Sequence, residues 1–263
     1  MKVTIVGCSG SFPGPDSPSS SYLVEAEDDE RVWRVLLDLG SGSLGPLQRV
    51  IDLDHLDAVV ISHLHPDHFM DLCGLYVARR YRPDGDPPPP LKIYGPQNTT
   101  ARFAESYGLD ASAGELAEIF DIQDLEDGAD FQVGPITVTP RLVSHPVQAF
   151  GLRLEHYGRT LAYSGDTDSC DSLVELARDA DLLLAEASFQ EGRDDVRGVH
   201  MTGLRAGQTA AESGAHRLVL THIPVWTDQH VVQAEAATVF RGPIDVAKPL
   251  VSYVLAGFPA PTS

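Results

Sequence analysis

The chain has 263 residues, of which 19 are basic and 38 acidic, giving a formal charge of −19 at neutral pH. A field of that sign repels polyanions over most of the surface, which argues against broad binding to nucleic acid or an anionic membrane. The three cysteines, Cys8, Cys73 and Cys170, are odd in number and form no C-x-x-C pair, so reduced thiols in a cytoplasmic protein are expected rather than a disulfide framework.

The length suits a single domain over residues 1–263 with one large core. The first eight residues carry one lysine and a short apolar alternation, which predicts a strand over 3–7 rather than a signal peptide. A Gly/Ser/Pro loop follows over 9–21, then a hairpin from strands 22–25 and 32–38, and a glycine turn at 40–42 leading into a helix over 44–51. Residues 58–61 read as a buried strand, and 69–81 as a helix on apolar spacing. The five prolines in 83–90 predict a loop or arm. A strand at 91–94 and a helix at 99–107 complete the first half. The second half opens with strands at 131–133, 136–140, 150–155 and 160–164. It continues as helix 172–178, strand 181–185, helix 204–213, strand 217–220, helix 231–240 and strand 250–254, with a frayed tail at 258–263. Strand runs followed by helix–strand alternation predict an α/β protein with packed sheets. No fixed-period repeat and no apolar run of membrane-spanning length is visible.

The stretch Val-Val-Ile-Ser-His-Leu-His-Pro-Asp-His at 59–68 is the most informative. An apolar strand ends in four metal-seeking side chains: His63, His65, Asp67 and His68. Imidazole nitrogen and carboxylate oxygen suit borderline divalent metals. In extended chain, residues two apart point the same way, so His63 and His65 can grip one ion together. Pro66 stiffens the turn and leaves Asp67 and His68 free to face a second. Three further ionisable residues stand at the ends of predicted strands: His145, Asp166 (after Gly165, which permits a sharp turn) and His222. The Gly-Cys-Ser-Gly-Ser turn at 7–11 suits either a backbone approach to an oxyanion or a simple turn.

This H-x-H-x-D-H pattern resembles the signature of the metallo-β-lactamase-fold hydrolases, which implies a four-layer αββα sandwich with the site at the strand ends. The resemblance gives His63, His65 and His145 to one ion and Asp67, His68 and His222 to the other, with Asp166 as the bridging carboxylate. Zinc fits the N/O set best, with manganese or iron as alternatives. His200 and Glu186 match the His-Ser-Thr and His-Glu-Ala-Thr segments of RNase Z-like phosphodiesterases, here written His-Met-Thr and Ala-Glu-Ala-Ser. That match implies His200 as general acid or phosphate contact, oriented by Glu186, with Asp67 also orienting the nucleophile. The plainer reading is a histidine beside a helix cap at Thr202 and a glutamate at a strand end.

Within this family the tRNA 3′-processing endonucleases usually carry a long RNA-gripping arm where residues 150–165 here read as a hairpin turning at Tyr157-Gly158. The acidic composition also opposes long polyanion binding. The chain is similar over nearly its whole length to actinobacterial cyclic-nucleotide phosphodiesterases of this fold. The similarity includes Gly-Pro-Asp-Ser-Pro at 14–18, Leu-Ala-Tyr-Ser-Gly-Asp-Thr at 161–167 and Leu-Thr-His-Ile-Pro at 220–224. It implies hydrolysis of a small phosphodiester, with a 3′,5′-cyclic nucleotide such as cAMP cut to the 5′-monophosphate. The alternatives are an RNase Z-type tRNA 3′-processing endonuclease and a non-enzymatic metal- or nucleotide-binding regulator. Resemblance to RNase Z-like proteins implies a homodimer, while the acidic charge leads to the expectation of no extended nucleic-acid surface and no membrane partner.

Overall fold

The structure, a computed structural model, describes residues 1–83, 88–110 and 114–255. In chain order its elements are β1 (Lys2–Gly7), β2 (Ser21–Glu27), β3 (Val32–Leu37), α1 (Leu44–Leu47), β4 (Ala58–Val60), α2 (Pro66–Phe69), α3 (Leu72–Arg80), β5 (Leu91–Gly95), α4 (Thr99–Tyr107) and β6 (Phe120–Asp124). The second half comprises β7 (Phe131–Val133), β8 (Ile136–Leu142), β9 (Phe150–His156), β10 (Arg159–Tyr163), α5 (Asp171–Leu176), β11 (Leu182–Glu186), α6 (Gly203–Ser213), β12 (Leu218–Thr221), α7 (Gln229–Val239), β13 (Ile244–Val246) and β14 (Ser252–Val254).

The strands form two sheets, ordered β14-β1-β2-β3-β4-β5-β6 and β13-β12-β11-β10-β9-β8-β7. Each sheet is antiparallel at one side and parallel at the other. The change falls at β3 in the first sheet and β10 in the second. The two halves thus repeat one architecture without repeating a sequence.

Side-chain alternation explains the layering. Along β4, Ala58 and Val60 enter the cluster between the sheets, while Val59 joins the cluster under the helices with Leu47, Phe69, Leu75 and Phe103. Along β11, Leu182 and Leu184 face the other sheet, and Leu183 and Ala185 face Leu173, Ala206 and Val232 of α5, α6 and α7. Central parallel strands buried on both faces read as unbroken apolar runs. Three apolar clusters separated by two sheets make an αββα sandwich. Fully burying each aliphatic side chain contributes about 1.5–3 kcal/mol, so the strand ends stand on a firm base.

Some predicted elements differ. The helix expected over 69–81 is α3, which starts only at Leu72, and a separate short helix, α2, precedes it. Asp71 between them leaves α3 uncapped because its carboxylate accepts the backbone N–H groups of Gly42 and Leu44. The helix expected over 44–51 stops at Leu47. Two short edge strands, β6 and β13, are additional. Residues 84–87 of the predicted proline loop and the tail at 258–263 lie outside the described residues. Among the described residues, no helix is long and apolar enough to cross a membrane.

Candidate metal centre

The candidate residues occupy one end of the sandwich, at the carboxyl ends of its strands, where open α/β sheets build their sites. His63 and His65 follow β4, His145 follows β8, Asp166 follows β10, Glu186 ends β11 and His222 follows β12. Asp67 and His68 lie in α2, which starts on Pro66, where the fixed proline φ suits the first helical position.

These positions converge. One group joins His63, His65, His145 and Asp166, and a second joins Asp67, His68, Asp166 and His222. Within each group the nearest ligand atoms all lie within 4.8 Å of one another. Asp166 belongs to both. Its Oδ2 stands 3.6 Å from His63 Nε2 and 3.2 Å from His222 Nε2, and its Oδ1 stands 3.2 Å from His68 Nε2. In the first group, His65 Nδ1 lies 3.0 Å from His63 Nε2 and 3.3 Å from His145 Nε2.

The outward-facing ring nitrogens fix how the rings present themselves. His145 Nδ1 donates to the Val199 carbonyl at 2.8 Å, and His68 Nδ1 donates to Asp38 Oδ2 at 2.7 Å, so both turn Nε2 into the cluster. Burial opposes the charge on His68, but Asp166 and Asp38 prevail and hold its pKa well above the usual imidazole range. His222 Nδ1 pairs with Ser20 Oγ at 2.8 Å. Burial holds His63, His65 and His145 below the usual imidazole range, which keeps them neutral and able to ligate. Burial opposes ionisation of Asp166, but His222 and then His68 outweigh it and hold the carboxyl well below its usual range.

The donor set fits divalent cations on a direct observation. His68 Nε2, His222 Nε2 and Asp166 Oδ1 are buried without a hydrogen-bond partner among the described residues, although they approach one another. Each such orphan costs about 1–3 kcal/mol. Three orphans around one point, in a set of imidazole and carboxylate groups, are what a bound cation satisfies.

His200 stands beside both groups, its ring 5.5 Å from that of His145 and 5.6 Å from that of His222. Its Nδ1 bonds Glu186 Oε1 at 2.7 Å. Glu186 is wholly buried, and the N–H groups of Thr167 and Ser188 hold its two oxygens at 2.9 and 3.1 Å. Burial pulls the His200 pKa down, but the Glu186 charge and hydrogen bond prevail and raise it to about 9. Asp166, Glu186 and His200 form a third compact group.

Two supporting residues escaped sequence reasoning. Asp38, wholly buried after β3, accepts from Ser62 N, Ser62 Oγ, His68 Nδ1 and Tyr163 Oη at 2.7–2.8 Å. An aspartate closing an apolar strand was the available sign, the same sign that marks Asp166. Asp168 accepts from Arg197 Nε, Arg205 Nη1 and the Gly198 and Ser169 N–H groups, which ties down the segment carrying His200. Burial opposes its ionisation, but these donors prevail, with Arg197 foremost, and lower its pKa to about 2.

Glycines let backbones approach beneath the cluster. A Cβ on Gly40 would meet the Asp67 carbonyl oxygen at 1.9 Å, and one on Gly10 would meet that of His222 at 2.4 Å. The Gly-Cys-Ser-Gly-Ser turn therefore packs against the His222 backbone. Both Asp38 and His222 adopt positive φ, at 57° and 53°, a sparsely populated conformation held here by dense hydrogen bonding.

An αββα sandwich with clustered imidazoles and carboxylates at its strand ends defines a metal-dependent hydrolase. The chain belongs to the β-lactamase superfamily: a family model described as "Beta-lactamase superfamily domain" matches residues 33–223. Uncharacterized protein ML1173 of Mycobacterium leprae is 44% identical over 246 residues, covering 93% of this chain and 85% of that protein. The "Probable metallo-hydrolase YhfI" of Bacillus subtilis is 33% identical over 249 residues, covering 94% and 97%. The crystal structure of YhfI, a metallo-β-lactamase fold protein, superposes with a TM-score of 0.85 at 31% identity, covering 96% of this chain and 99% of that one. A Ribonuclease Z of Bacillus licheniformis is 28% identical over 277 residues, covering 85% and 88%.

Proposed function

We propose that this hydrolase cleaves small phosphodiesters with two divalent metal ions, zinc by preference, and that its substrate is a 3′,5′-cyclic nucleotide opened to the 5′-monophosphate. The observation that carries this reading is Asp166, shared between two ligand groups with the Glu186–His200 pair alongside. His63, His65 and His145 would hold one ion, Asp67, His68 and His222 the other, with Asp166 between them. Bound there, the ions supply Lewis acidity toward the phosphate and a water acidic enough to ionise near neutral pH.

The chain's own residues supply the rest. Asp67 orients the attacking water. The charge and hydrogen bond of Glu186 favour the protonated form of His200, raising its pKa to about 9. Its Nδ1 is engaged by Glu186, so Nε2 is the atom that carries a proton to the departing 3′-oxygen. Deep burial of Glu186 between two backbone donors keeps the carboxylate fixed as the proton moves.

Similarity to a Ribonuclease Z supports a second reading, tRNA 3′-end processing. Against it, Tyr157 and Gly158 alone join β9 to β10, both at positive φ as in a tight hairpin turn, which leaves no room there for an RNA-gripping arm. The charge of −19 also disfavours a long polyanion. Incubating metal-loaded protein in parallel with cAMP, bis-p-nitrophenyl phosphate and precursor tRNA separates the readings. Cleavage of the small diesters without tRNA processing is expected, and tRNA processing alone would overturn the preferred substrate.

A further inference from the structure

A groove of about 720 Å³ opens beside His65, between the β5–α4 turn and the β8–β9 connection. That volume suits a small-molecule site. Its composition is unusual for this protein. The chain is rich in carboxylates, 38 in all, yet among the described residues none lines this groove, and Arg102 lies within it. Three carboxamides, Gln97, Asn98 and Gln148, share it with Leu142 and Val147. Those two apolar side chains are each 41% exposed, so they face solvent rather than a packed neighbour.

The carboxamides are available for recognition. Gln148 Oε1 accepts the Gln97 N–H at 3.0 Å, which fixes that side chain and turns its amide N–H groups toward other partners. Asn98 sits at the N-cap of α4 in the left-handed conformation, φ 72°, and its side chain does not cap the helix. A wall with both amide donors and amide acceptors, an apolar face and no negative charge among the described residues matches a planar heteroaromatic ring whose edge carries donors and acceptors.

We infer that this groove seats the nucleobase of the substrate, with Asn98 and Gln97 reading its edge and Leu142 and Val147 covering its face. The inference rests on the phosphodiesterase reading for the placement of the phosphate at the metal centre, and it assigns these side chains as specificity determinants. Asn98→Gly keeps the left-handed backbone while removing the carboxamide, and Val147→Asp places a charge on an already exposed position, so neither threatens the fold.

Two measurements test it. The first compares kcat and KM for cAMP and for the base-free ribose 3′,5′-cyclic phosphate. Each variant should raise KM for cAMP about tenfold, the scale of one lost hydrogen bond or a desolvated apolar contact, with kcat and the base-free substrate unchanged. Equal losses on both substrates, or an unchanged KM for cAMP, would overturn the inference. The second measures AMP binding by equilibrium dialysis, without catalysis, and should show weakening of about the same factor. Turnover of diesters with AMP binding indifferent to both variants removes the groove and leaves the phosphodiesterase. Weakened AMP binding in a protein that turns over no diester retains the groove and removes the hydrolytic reading.

Discussion

Asp38 and His68 are joined by a 2.7 Å hydrogen bond wholly inside the protein, and the same carboxylate collects Ser62 and Tyr163. The bond fixes which nitrogen of His68 faces the cluster and would increase its basicity toward a bound cation. Asp38→Asn retains the shape and tolerates the positive φ. Divalent-metal affinity, measured by competition with a chromophoric chelator, should fall about 10–100-fold. An unchanged affinity would mean that Asp38 serves only packing.

Asp166→Ala removes the one carboxylate common to both groups. Metal content by plasma emission should drop from two equivalents per chain to one or fewer. Phosphodiesterase turnover should disappear against the chelated-enzyme background. Full occupancy with a near-normal rate would show that the two groups do not share a ligand.

On the proposed mechanism, His200 and Glu186 should set the alkaline limit of activity. Burial lowers the His200 pKa and Glu186 raises it further, to about 9 against an ordinary 6.5. The pair therefore contributes stability that is complete below pH 6.5 and is lost as pH rises through about 9. In Glu186→Gln the imidazole should titrate below 9, and the alkaline limb of the kcat–pH profile should move down with it. His200→Ala should lose about 10²–10⁴-fold in kcat. A profile indifferent to Glu186→Gln would remove His200 from proton transfer.

Asp168 acts through the segment it holds. Its pKa is depressed to about 2, so the stability it supplies is present above the ordinary carboxylate pKa of 3.8 and fades as pH falls toward 2. Asp168→Ala leaves the buried Arg205 without its closest carboxylate and should cost about 3 kcal/mol in urea unfolding at neutral pH. The difference from the parent should shrink below pH 3.8. A constant difference down to pH 2 would contradict the ion-pair origin.

Gly40→Ala tests the support beneath the cluster. The added methyl would press on the Asp67 carbonyl oxygen, so the backbone must shift. Overpacking of this kind costs about 1–3 kcal/mol, and metal affinity should fall with it because Asp67 moves. Loss of stability with unchanged metal binding would place the strain elsewhere.

The candidate ligand positions were legible because they lie just past apolar runs, where α/β folds build their sites, although Asp38 at another strand end serves as a hydrogen-bond acceptor. Packed sheets were legible because β4 and β11 read as unbroken apolar strands, whereas the four-layer sandwich came from the family resemblance. The pairing of β14 with β1 was not, because contacts such as Lys2 with Val254 leave no local pattern. Strands β6 and β13 are too short and too close to an edge to show a convincing alternation. The break between α2 and α3 depends on Asp71 reaching back to Gly42 and Leu44, a tertiary choice that periodicity does not encode. Asp38 and Asp168 draw their meaning from partners distant in sequence, such as Tyr163 and Arg205.

The most direct test is turnover of cAMP by apo-protein titrated with Zn²⁺ or Mn²⁺, with bound metal counted in the same samples. Activity should rise with metal, saturate near two equivalents per chain and yield AMP. A fully folded protein that takes up no ions, or that takes up two and cleaves neither cAMP nor any simple phosphodiester, would contradict it.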